Sequence, residues 1–102
     1  MFLCSGYSLV KDAMDGYLEL ERNEVLDFND KILDITKMVD PLEVFTQMQN
    51  YIEALLKSNL DNMSLKVKLI SDIKAIETAK KELRLNINIQ TIVETLSFKL
   101  IL

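Results

Sequence analysis

A chain of 102 residues has room for one hydrophobic core, and 49% apolar with 27% charged residues is the composition of a folded domain rather than a disordered or membrane-embedded one. Two glycines, one proline and one cysteine exclude a turn-rich all-β fold and an internal disulfide, while the lack of histidine removes the commonest metal ligand and general base. The net charge of −4 is uneven: residues 1–62 carry twelve acidic against five basic side chains, residues 63–102 four against seven.

The acidic half argues against a nucleic-acid-binding protein, and the basic positions Lys66, Lys68, Lys74, Lys80, Lys81 and Arg84 read first as a solvated helix face. No apolar run approaches the roughly 20 residues of a membrane span. "MFLCSG" has no basic n-region and too short an apolar stretch for a signal peptide, so a cytoplasmic location is expected. Cys4, with no basic neighbour, reads as a small buried hydrophobe near a helix end.

In chain order, the first predicted helix runs from Ser8, as cap, to about Arg22, with Leu9, Val10, Ala13, Tyr17, Leu18 and Leu20 as its contacts and Gly16 as a weak point inside it. A second lies in "NEVLDFNDKILDITKMV", where Val25, Phe28, Ile32, Ile35 and Val39 repeat at helical spacing. Pro41 ends it and opens the third, in which Asp40 should accept from first-turn amides and Glu43 complete a capping box. That helix should reach about Lys57 and bury Leu42, Phe45, Met48, Ile52 and Leu55. The fourth, from Met63 to Leu83 or Leu85, carries the stripe Leu65, Leu69, Ile73, Ile76, Ala79 and Leu83.

"KELRLNINIQTI", residues 81–92, alternates like a half-buried strand. A solitary strand has no partner to pair with, and after Asn88 the spacing turns helical. Asn86 and Asn88 therefore read as breakers between two helices, with Asn88 capping a fifth helix through Gln90 or Thr91, and Leu85 and Ile87 sent to different packing surfaces. The fifth helix uses Ile89, Ile92, Val93, Leu96 and Leu100. The fold class is all-α, a bundle of about five helices. Val44, Tyr51, Leu56 and Phe98 exceed what one stripe per helix can bury, which points to contact with another chain.

No phosphate-cradling glycine loop, nucleophile elbow, HExxH or calcium loop occurs. Asp27, Asp30 and Asp34 share a helix face, yet without Glu-x-x-His elements they read as solvated rather than as metal ligands. The expectation is no catalytic residue, no metal and no cofactor.

Residues 75–100 resemble the C-terminus of the delta-prime subunit of the bacterial DNA polymerase III clamp loader. There a helix reading "aI-x-eAkk-x-L" leads into "N-x-N-x-Q" and a last helix with "E-x-L". The matching residues are Ile76, Ala79, Lys80, Lys81 and Leu83, then Asn86, Asn88 and Gln90, then Glu94 and Leu96. "FLCSGYSLVKDAM" is similar to the family's turn into "G-S-x-G-[KR]-A", with Lys11 at the position of the second sensor of AAA+ ATPases. Tyr7 and Val10 replace the usual glycines and Asp12 the alanine, which favours a solvated Lys11. In the middle, "YIEALL" has Glu53 and Ala54 where the family has Arg and Asp.

The resemblance implies residues 1–22 as a lid-domain remnant with a sensor-2-like helix and residues 23–102 as a helical collar domain, following an AAA+ module upstream of Met1. It implies a non-catalytic oligomerisation role, holding the loader together while ATP elsewhere opens the sliding clamp for DNA replication. The expected partners are other clamp-loader collar domains, met through Ile89, Ile92, Val93, Leu96, Phe98 and Leu100, with no membrane and no tight DNA binding by this domain alone. The alternative is an unrelated helical adaptor or homodimerising bundle.

Overall fold

A computed structural model describes residues 5–101; Cys4 lies outside them. Five α-helices follow in order: α1 (Ser5–Met14), α2 (Val25–Met38), α3 (Pro41–Ser58), α4 (Met63–Arg84) and α5 (Ile89–Ile101). Two single 3-10 turns, Tyr17–Glu19 and Arg22–Glu24, join α1 to α2, and no strand occurs among the described residues. The all-α expectation holds.

The first helix is shorter than its sequence suggests. Ser8 lies within α1, and Gly16 takes a left-handed φ of +76°, a conformation that costs other residues strain and glycine little. It therefore ends the helix instead of weakening it. Tyr17 then enters the core from a 3-10 turn, and the Glu24 carboxylate accepts from the Glu21 amide at 2.9 Å just before α2 begins.

Pro41 opens α3 as expected, but Asp40 makes no side-chain cap bond. Asp40 is held extended (φ −52°, ψ 129°) ahead of the proline, its carbonyl accepts from Val44 at 3.0 Å, and Glu43 accepts from Gln47 instead at 2.8 Å. Leu42 is 39% exposed rather than buried.

Packing closes into a ring: α1 lies on α3, α3 on α4, α4 on α5, α5 on α2, and α2 on α1. Each helix thus meets two neighbours and buries more than one stripe. Val44, expected to face another chain, is completely buried, because α3 lies between α1 and α4. Phe28, Ile32, Phe45, Met48, Ile52, Leu69, Ile76 and Ile92 fill the same core as Val10, Ala13, Met14 and Tyr17. Residues on both sides of position 22 contribute to this one core.

The alternating segment resolves into two helix ends. The Ile87 amide donates to the Glu82 carbonyl and the Asn86 amide to the Leu83 carbonyl, both at 3.2 Å, with Asn86 at a left-handed φ of +62°. These are the paired bonds of a Schellman end, and Asn86 occupies the position that glycine usually takes. Two residues on, the Asn88 side chain accepts from the Gln90 amide at 2.8 Å and caps α5. Leu85 and Ile87 pack against nothing fully, being 72% and 37% exposed, because the turn is only four residues long and both lie outside the ring of helices.

Asn86→Gly is expected to hold or raise stability by up to about 1 kcal/mol, whereas Asn86→Val should cost about 1–2 kcal/mol, read as midpoints of urea unfolding. Equal midpoints for the two variants would contradict the left-handed helix end.

Candidate functional site

The densest polar arrangement lies inside the bundle, where α4 faces the 3-10 turn after α1. Leu69, Ile76 and Ala79 turn α4 toward the core, and that rotation carries Asp72 inward with them, to 2% exposure. A carboxylate there must be partnered, since an unpaired buried charge is very costly.

The Tyr17 hydroxyl donates to Asp72 Oδ2 at 2.8 Å across 55 residues of sequence. Lys68, one turn earlier on α4, donates to both Asp72 oxygens at 2.8 Å and to the Leu100 carbonyl at 2.7 Å. Its ammonium also sits 5.6 Å from the centre of the Tyr17 ring. All three ammonium protons can be used, and a cation meets the carbonyl end of α5, where the helix dipole favours it.

Burial raises the Asp72 carboxyl above its ordinary range, opposed by the hydrogen bonds from Lys68 and Tyr17. Tyr17 is pushed far up, first by burial and then by donating to Asp72, so its phenol stays protonated in the fold. With every polar atom of the set engaged and the phenol and carboxylate buried, the cluster serves as a tie between the chain's first turn, α4 and α5. The i, i+4 pair Lys68–Asp72 is visible in the sequence, but Tyr17 is remote and nothing marks it as their partner.

Two further polar links join helices. Gln49 of α3, 7% exposed, donates to Glu77 at 2.6 Å and accepts from Lys80, both on α4, and its amide holds Glu77 below the usual carboxylate range. Tyr51 donates to Asp15 at 2.9 Å; burial and that bond push its phenol up to about 12. Lys11, at the sensor-like position, lies 3.8 Å from the same Asp15 with both side chains about half exposed. That is a surface pair of small energetic weight.

The structure corrects most of the expected α5 interface. Ile92, Val93, Leu96 and Leu100 are at most 2% exposed, buried in the chain's own core because α5 lies between α4 and α2. Only Phe98, 39% exposed, and half-buried Ile89 remain near the surface. Asn86, Asn88, Gln90 and Glu94 are exposed, three of them at the α4–α5 turn and α5 start, and Glu94 one turn further on.

A cleft of about 320 Å³ between the end of α1 and α2 is lined by Asp15, Glu24, Asp27 and Asp30, with Lys31 beside them. Asp34 faces Lys37 at 3.6 Å instead. Among the described residues no cluster of three or more acidic or cysteine side chains is placed to hold a metal ion, and no helix is long and apolar enough to cross a membrane. Compared with known proteins, the chain matches no family model, no curated protein and no solved structure.

The raised Tyr17 fixes the sign of an alkaline effect. Its stabilisation is fully present below about pH 10, where an unfolded tyrosine begins to ionise, and is lost as pH rises further. Between pH 10 and 11.5 the stability of the native chain should fall more steeply than that of Tyr17→Phe, by up to about 1.4 kcal/mol per pH unit, measured by urea unfolding. Parallel pH profiles would show that the phenol is not held protonated.

Proposed function

We propose that this chain is a helical collar domain of a clamp-loader delta-prime subunit, a non-catalytic part whose work is to hold a multi-subunit loader together. The α4–α5 turn carries this reading. The residues on which the resemblance rests are those the local geometry requires: Asn86 takes the left-handed position that ends α4, and the Asn88 side chain caps α5. A motif of two asparagines one residue apart has a physical reason wherever two helices meet through so short a turn. The all-helical architecture and the long α4 agree with such a role without being specific to it.

In this reading the domain contributes rigidity. Polar ties among the turn after α1, α3, α4 and α5 fix these parts against one another, so that force from ATP-driven motion in neighbouring modules is transmitted rather than absorbed. Contacts with neighbouring collar domains then fall on surfaces other than the buried side of α5, with Phe98 the part of the expected patch still open to them.

The experiment is reconstitution. The full chain, mixed with the other clamp-loader subunits of its source organism, should elute with them in size-exclusion chromatography with light scattering. A tight homodimer that ignores those subunits would overturn the reading in favour of a self-associating bundle.

A further inference from the structure

Four exposed apolar residues lie on the outer side of α4 and in the turn before it. Leu60 is in that turn, and Met63, Val67 and Ile70 recur along the helix at spacings of four and three, the pattern of a helix seam made to lie along another helix. They are 56%, 69%, 64% and 37% exposed. The opposite side of α4, with Leu69, Ile76 and Ala79, is already taken by α3 and α5.

Charge distinguishes this face from a random scatter of apolar residues. The seam runs on into exposed Lys74 and Lys81, and half-buried Lys66 borders it. None of these three lysines has an ion-pair partner among the described residues. Of the acids on α4, Asp72 is buried beneath Lys68 and Tyr17, Glu77 is engaged by Gln49 and Lys80, and Glu82 is half-buried. The face is apolar at one end, and at the other Lys74 and Lys81 flank a single exposed acid, Glu77, that Gln49 and Lys80 already engage, which leaves the two lysines in excess.

We propose that this face of α4 docks an amphipathic helix of a partner protein, one whose apolar stripe is flanked by acidic residues. A second copy of the same face fits poorly. A parallel pair would set Lys74 and Lys81 against their own counterparts, and an antiparallel pair overlapping on residues 60–70 would carry both lysines past the start of the partner copy's α4, leaving them unmatched. An acidic helix covers the same apolar residues and matches the lysines, and opposite charges flanking a seam select partner and orientation. The inference goes beyond the collar reading and rests on exposure and charge alone.

Two synthetic helical peptides of about three heptads, sharing one leucine stripe but flanked by glutamate in one and by lysine in the other, test it. In NMR titrations of the isotope-labelled full chain, the glutamate peptide should shift amides of residues 60–81 and bind at least roughly tenfold tighter than its lysine twin. Val67→Asp should weaken that binding at least roughly tenfold, and Lys74→Glu with Lys81→Glu should reverse the preference, all with unchanged thermal melts because the sites are exposed. Equal affinity for both peptides, no binding at millimolar peptide, or shifts on another face would overturn the proposal. So would a dimer in sedimentation that Val67→Asp dissociates, since the face would then belong to a second copy.

Discussion

One buried carboxylate constrains this fold more than any other single group. Asp72 lies on the core side of α4, and a charge so placed is tolerable only if donors are brought to it. Three parts of the chain answer that demand. The turn after α1 supplies the Tyr17 hydroxyl, α4 itself supplies Lys68, and Lys68 in turn reaches the last carbonyls of α5 at Leu100. The requirement ties early, middle and late parts of the chain to one point, and Gly16 breaks α1 just before Tyr17 turns inward to it. Apolar burial alone drives collapse, but it does not choose among the many ways five short helices can pack. A polar group that is satisfied in one arrangement does choose.

Much of the architecture was legible in the residues themselves. Helical periodicity located all five helices, Pro41 marked the start of α3, and the side chain of Asn88 caps α5 as its position before a helical stripe implied. The departures have common causes. A glycine inside a periodic run looks like a weak point in a continuing helix, and only the fold shows that Gly16 takes a left-handed dihedral that ends α1 just before Tyr17 turns inward. Asp40 and Glu43 form a sound local cap pattern, yet the proline fixes Asp40's backbone while Gln47 engages Glu43. Local signals were outweighed by neighbours that the sequence does not announce.

The expected interface departs for a related reason. One apolar stripe per helix leaves Val44 on α3 as surplus, yet in a ring of five helices each has two neighbours and Val44 is buried internally. The α5 stripe Ile92, Val93, Leu96 and Leu100, to which the collar resemblance also gives a partner, is likewise filled by the chain's own α4 and α2. Of the expected set only Phe98 stays largely outside; the other exposed large apolar residues lie elsewhere, among them the α4 face, Leu85 and Ile87 of the α4–α5 turn, and Leu26 and Met38 of α2. The polar ties were invisible for the opposite reason. Tyr17 and Asp72 are 55 positions apart, and no periodic pattern pairs them. Of the residues that carry the resemblance to a clamp-loader collar, Asn86 ends one helix and Asn88 begins the next.

A double-mutant cycle through Tyr17→Phe and Asp72→Asn addresses the central claim most directly, because it measures the coupling between two residues that only this packing brings together. If the hydroxyl donates to the buried carboxylate, the single variants will each destabilise the chain and the pair will be non-additive, with a coupling of about 1–3 kcal/mol in equilibrium unfolding. Strict additivity would mean that the first turn and α4 do not meet at Asp72, and the arrangement of helices described would be wrong at its centre.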